Sequence, residues 1–307
     1  MKPLPRRPGL ATLLHPGDPR WFLDECWPSR PFLHHASLAR LEDLQRAPEL
    51  RTPRSMLQSK RRSIRVWIKD PDNGSHRTAV VTPTQAEELY ASRAVTISID
   101  GIEVPAVSRL TRGLARDIGT PLRGISCNAY LSPAGKGTTA LHFDDHEVFA
   151  LQLRGRKRWS FAPNTHVPNP LEDYAVGTRP SPTLRRLCDR FPDTLPPGAE
   201  TAVLSPGSVL FLPKGYWHLT ETLEESVHLT LAVSSLAWID LVVDRVRDRL
   251  IEQEPWRRTA AGFSSRGPAR ARARAQISSL LGGLARDLAA ILDVKKLAGR
   301  GPMRQAS

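Results

Sequence analysis

The sequence predicts a mainly β fold, a closed or two-sheet β architecture flanked by helices. Three observations point there. From Ile125 onward, short runs rich in β-branched and aromatic residues follow one another between Gly and Pro turns. Before them, apolar residues recur at helical spacing in several short segments. After Ser235 the pattern turns helical again. With 307 residues, 40% of them hydrophobic, the chain can bury a sizeable core. The reading divides it into an N-terminal mixed α/β part over 1–124, a β core over 125–235 that carries an insertion at 163–200, and a helical region over 236–307.

Taken in order, residues 1–20 read as a polar, proline-containing lead-in, without the apolar run a signal peptide needs. A short amphipathic helix over 21–27 ends before Pro28, and 31–35 is extended. The adjacent His34 and His35 would face opposite ways on a strand, so they read as outer residues, not as joint ligands. A helix over 38–46 closes at Pro48, a half-exposed basic strand covers 63–68, and 70–74 is a turn. A helix capped by Thr82 or Thr84 covers 83–90, a strand 94–99, and a helix 104–118 that stops at Gly119 and Pro121. Strands then read at 126–131, 141–143, 148–153, 158–161, 201–204, 208–212 and 227–233. The proline-rich 163–200 reads as a long loop with one short helix over 184–189. Beyond 235 come an amphipathic helix over 237–251, a loose Arg-rich stretch over 257–274 and a helix over 276–297. These C-terminal helices are candidates for a homodimer contact.

Lys and Arg total 44 against 31 Asp and Glu, a formal net charge of +13. Such a field can attract nucleic acid, ribosomes or acidic partners. A general Arg bias accounts for the charge equally well, so nucleic acid is permitted as a partner and not favoured. No uninterrupted apolar run suits a membrane span. Cys26, Cys127 and Cys188 lie far apart without CxxC spacing, which fits a reduced, cytoplasmic setting.

The chemistry gathers around the run His142-Phe143-Asp144. Side chains i and i+2 leave one face of a strand, so His142 and Asp144 can enter one cavity. A third ligand, His218, follows a Pro206-Gly207-Ser208 turn, an apolar strand and a Pro213-Lys214-Gly215 kink that can aim it inward. Two histidines and a carboxylate make a facial triad with open positions, for which Fe(II) is the preferred ion; Mn²⁺, Ni²⁺ and Zn²⁺ stay open. Alternation places Lys157 on one face with Gly155 and Trp159, opposite Arg156 and Arg158, and its charge and reach suit the distal carboxylate of a dicarboxylate. Asn128, Tyr130 and Thr230, polar residues in apolar strands, can hydrogen-bond a cofactor.

Residues 142–159 (HFDDHEVFALQLRGRKRW), together with LFLPKGYWH and Val227-His228-Leu229-Thr230, resemble the JmjC-type cupin oxygenases, in particular their ribosomal-oxygenase-like bacterial branch. The resemblance spans roughly residues 20 to 260. It implies a double-stranded β-helix (cupin or jelly-roll) and an Fe(II)- and 2-oxoglutarate-dependent dioxygenase that acts as a hydroxylase. On that resemblance His142, Asp144 and His218 are the iron ligands, Lys157 pairs with the distal carboxylate of 2-oxoglutarate, and Asn128, Tyr130 and Thr230 line its pocket. Two features depart from the family: too few residues follow the helical region for a winged-helix domain, and the 163–200 insertion lengthens the interval to His218. The expected substrate is a protein or peptide side chain. The alternatives are a small metabolite, a non-catalytic metal-binding cupin, or a basic ribosome- or RNA-associated protein.

Overall fold

The computed structural model describes residues 7–69, 76–92, 95–120, 124–134 and 139–291. The chain folds as two units, Met1–Ser235 and Leu236–Ser307. The strands of the first unit are β1 (Phe32–His34), β2 (Ser63–Lys69), β3 (His76–Val80), β4 (Thr96–Asp100), β5 (Ile125–Ser132), β6 (His142–Phe143) and β7 (Glu147–Arg154). They continue with β8 (Lys157–Ala162), β9 (Tyr174–Ala175), β10 (Glu200–Leu204), β11 (Val209–Leu212), β12 (Trp217–Thr222) and β13 (Ser226–Val233). One sheet runs β1-β11-β7-β13-β5-β4-β2-β3, the other β10-β8-β12-β6-β9. Successive core strands alternate between the two: β5, β7, β11 and β13 lie in the first, β6, β8, β10 and β12 in the second. That is the strand order of a double-stranded β-helix, with β4, β2 and β3 widening one edge.

Alternation along the strands builds the layers. On β7, Phe149 and Leu151 face outward into a large cluster with Leu10, Leu14, Phe22, Met56 and Leu114. Val148 and Ala150 face inward, against Trp159, Phe161, Leu204, Leu210 and Leu212. A period of two on a strand covered on both faces leaves β7 buried from Glu147 to Leu153.

The flanking helices of the first unit are α1 (Leu10–Leu14), α2 (Pro19–Glu25), α3 (Glu42–Arg46), α4 (Pro53–Gln58), α5 (Pro83–Ala91), α6 (Pro105–Ile118) and α7 (Pro182–Leu187). A capping box between Thr82 and Gln85 starts α5, and Gly119 in the left-handed region ends α6. The second unit holds α8 (Trp238–Glu252), α9 (Glu254–Arg257) and α10 (Pro268–Ile291).

Several expectations need correction. The lead-in is not merely polar: α1 buries Leu10, Leu13 and Leu14 completely. The insertion is more than a loop, because β9 pairs with β6, and Val167, Leu184 and Phe191 close a third cluster over Phe143 and Trp217. Its helix starts at Pro182, where the Ser181 side chain accepts from the Leu184 amide. Part of the stretch expected to be loose is helical, since α10 begins at Pro268. The short helix α4 and the strands β3 and β12 have no counterpart in the sequence pattern. The turn expected at 70–74, Pro121, and the last residues of the final helix lie outside the described residues.

Candidate functional site

β12 pairs antiparallel with β6, and the register sets His218 directly opposite His142. Cross-strand neighbours of this kind sit about 5 Å apart at Cβ, and here the two ring centroids are 4.1 Å apart. Their chain neighbours, Phe143 and Trp217, point the other way and pack edge to face at 4.8 Å in the third cluster. That buried pair fixes which face the histidines take. Asp144 leaves the strand just beyond β6, and its carbonyl accepts from the Gly215 amide at 2.9 Å, which ties the 213–215 kink to the acid. Gly215 is required there: it has φ +84°, and a Cβ would meet Pro170 at 2.5 Å.

The ligand atoms that His142, Asp144 and His218 can offer all lie within 4.8 Å of one another. The Nδ1 of His142 donates to the Ala140 carbonyl at 2.7 Å, and that of His218 to the Tyr216 carbonyl at 2.9 Å. Each bond sets the tautomer and leaves Nε2 as the lone-pair donor to a cation. Nε2 of His218 lies 3.6 Å from Oδ2 of Asp144. Burial, reinforced by the imidazole of His142, lowers His218 to about 4, so it stays neutral. Burial alone would raise the Asp144 carboxyl, but the imidazoles of His146, His218 and His142 hold it below its ordinary value. Two imidazoles and one carboxylate form a donor set suited to a divalent transition metal with open positions.

The three side chains line a cavity of about 110 Å³ together with Asn128, Tyr130 and Thr230. Asn128 accepts from the Gly101 amide at 2.9 Å and bonds Tyr130, while Thr230 pairs across the sheet with Asn128. Lys157 stands apart from these. It is fully buried, donates to Ser132 Oγ at 2.9 Å, and lies 6.0 Å from the Tyr130 ring centroid. Burial pulls it down to about 7, and no carboxylate among the described residues offsets that loss. Its neighbours turn outward to surface ion pairs, Arg156 with Glu224 and Arg158 with Glu221.

Sequence reasoning missed Trp67, Thr139, His146, Trp159, Thr220 and His228, all of which line the same cavity. For His228 a signal existed: it is in phase with Thr230 on one strand. For Trp67 none did, because β2 reaches the cavity only through the edge-to-edge order β5-β4-β2. His34 and His35 lie elsewhere, bonded to the His15 carbonyl and to Ser208 Oγ.

Fold and donor set together define a double-stranded β-helix protein with a two-histidine, one-carboxylate cluster inside the barrel. A JmjC-domain family model matches residues 118–241. The chain is 27% identical over 274 residues to the uncharacterized protein YxbC of Bacillus subtilis, covering 83% of this chain and 80% of that one. It is 34% identical over 126 residues to ribosomal oxygenase 2 of Rattus norvegicus. Over 111 residues it is 38% identical to the bifunctional lysine-specific demethylase and histidyl-hydroxylase NO66 of Drosophila willistoni. Those two matches cover 40% and 36% of this chain but only 24% and 13% of the relatives' own length. Among solved structures, E. coli ycfD aligns with a TM-score of 0.50 at 17% identity, over 86% of this chain and 68% of that one, a likeness of fold. Residues 118–241 thus match the JmjC domain, and the relatives similar to the chain include ribosomal oxygenases.

Proposed function

We propose that this protein is an Fe(II)- and 2-oxoglutarate-dependent oxygenase that hydroxylates a protein or peptide side chain. One observation carries the reading: His142, Asp144 and His218 converge on one cavity, and Lys157, buried beside Tyr130 of its lining, has no anionic partner among the described residues. An unpaired ammonium removed from water is costly, and a carboxylate arriving with a ligand would offset that cost. A dicarboxylate that chelates the metal at one end meets this need at the other.

When bound, iron and 2-oxoglutarate supply the oxidation, consuming dioxygen and the keto acid and releasing carbon dioxide and succinate. His142, Asp144 and His218 would hold the ion on one face and leave the other open. Lys157 would anchor the far carboxylate, and Tyr130, Asn128 and Thr230 would border the co-substrate. Trp67, whose ring centroid is 6.4 Å from that of His142 and whose indole donates to Ser98 Oγ at 3.3 Å, would wall the cavity. The choice of a side-chain substrate follows the names of the relatives, ribosomal oxygenase and histidyl-hydroxylase.

Calorimetry under anaerobic conditions with Mn(II) should detect 2-oxoglutarate binding, and His142→Ala should abolish it. With Fe(II) in air, candidate peptides should stimulate succinate release and gain one oxygen in mass. Absence of binding by the wild type would overturn the reading. Binding without succinate release would leave a non-catalytic metal-binding cupin, and turnover confined to small molecules would move the substrate class. A role as an RNA-associated module instead predicts RNA affinity that falls with salt and survives His142→Ala.

A further inference from the structure

His228 sits at the centre of β13, 2% exposed, and borders the cavity. Its imidazole lies flat on the Tyr130 ring, centroids 4.7 Å apart and planes 3° from parallel, and takes the edge of Trp159 at 5.6 Å. Trp159 in turn stacks on His218, also at 5.6 Å. Within this packing the Nδ1 of His228 has no hydrogen-bond partner among the described residues. Buried polar atoms without partners are rare, and one beside a ligand cavity points to a partner that arrives with the ligand.

The surroundings say what kind of partner. The titratable groups around His228 are Tyr130 on β5 and Lys157 on β8, while β7 presents the uncharged Gln152 in the opposing register. Among the described residues, Lys157 supplies the charge that acts on the imidazole, and it is of the same sign as a protonated ring. With Ser132 beside Lys157, this corner of the barrel holds donors and, among the described residues, no acid that acts on Lys157 or His228. We propose that His228 is a second anchor, beside Lys157, for the distal carboxylate of the co-substrate, and that it takes up a proton from solvent as that carboxylate enters. The inference rests on the 2-oxoglutarate reading and adds a positioning residue to it.

In the ligand-free cavity the imidazole is neutral, because burial and then the Lys157 ammonium hold it well below its ordinary value. A carboxylate placed near both cations reverses the balance: it screens one from the other and supplies an acceptor to each. Only the proton changes hands, and it comes from the buffer.

The test is calorimetry on the full chain loaded with Zn(II), at pH 6.5, in buffers of different ionisation enthalpy. Wild type should take up close to one proton when 2-oxoglutarate binds, and none with 2-oxopentanoate, which lacks the distal carboxylate. His228→Gln should bind 2-oxoglutarate roughly ten- to a hundredfold more weakly, the loss of one charge-assisted hydrogen bond, with the proton uptake reduced to the small share that Lys157 takes. His228→Phe should fare no better. Imidazole nitrogen NMR of the wild type should show His228 turning from neutral to protonated across the titration. An imidazole that stays neutral, or a His228→Gln protein that binds within twofold of wild type, overturns the proposal while leaving the co-substrate reading intact. Failure of the wild type to bind 2-oxoglutarate overturns both. Zn(II) affinity and melting temperature, expected to be unchanged in His228→Gln, separate loss of the anchor from loss of the fold.

Discussion

At Lys157, the first residue of β8, the ammonium is buried with a serine hydroxyl beside it and, among the described residues, no acid acting on it. Its folded value of about 7 compares with 10.5 for an exposed lysine. Between those values the unfolded chain binds the proton and the folded chain does not, so the ligand-free protein gains stability as pH rises from 7 toward 10.5. The deficit is complete below 7 and amounts to a few kcal/mol, about 1.4 per unit. Lys157→Met should therefore raise the melting temperature of the ligand-free protein at pH 6 by several degrees, with the gap to wild type narrowing by pH 9. The same substitution should abolish 2-oxoglutarate binding. A variant that melts at or below the wild-type temperature at pH 6 would show that the lysine is not a stability liability. The residue was legible in the sequence from alternation with Trp159. Its isolation from acids was not, because that depends on Ser132 and His228, contributed by two other strands.

Among the elements, the tight connection from β7 in one sheet to β8 in the other places Lys157, and Gly155 makes its turn. Gly155 has φ +62°, and a Cβ there would lie 1.9 Å from the Glu225 carbonyl oxygen. Gly155→Ala should cost more than about 2 kcal/mol in urea unfolding, combining a left-handed conformation with a backbone clash. Gly198→Ala, also at positive φ but with nothing near its Cβ, should cost about 1 kcal/mol. Equal costs would mean that the close approach to Glu225 does not constrain the connection. Most core strands were legible because their apolar residues alternate or run together. β12 was not, and the reason is physical. Its inward residues are the polar His218, Thr220 and Thr222, while the outward Trp217 is buried by the insertion. The ordinary pattern is inverted where a strand faces a polar cavity. β9 was missed for another reason: two residues carry no period.

For the molecule as a whole, no helix among the described residues is long and apolar enough to cross a membrane. In the C-terminal unit α8 buries none of its side chains, and Trp238 (84% exposed), Ile239 and Val243 stand in solvent. A helix with that much uncovered apolar surface invites a partner, and we propose a second copy of the chain, as the amphipathic pattern of 237–251 suggests. Light scattering coupled to gel filtration should give twice the chain mass, and Val243→Asp should reduce it to one. A wild type that stays monomeric at high micromolar concentration would remove the proposal.

The amino-acid order by itself determined the class of fold and the identity of the candidate ligands, because strand period and the spacing of His142 and Asp144 are local properties. It also placed Lys157 on one strand face with Trp159, opposite Arg156 and Arg158. Only the tertiary structure decided what those side chains have around them: His218 opposite His142, Trp67 reaching in from a widened sheet edge, and His228 laid on Tyr130. Each depends on the register between strands far apart in the chain, and register comes from burying Phe143, Trp217 and their cluster together, a condition that no single segment contains.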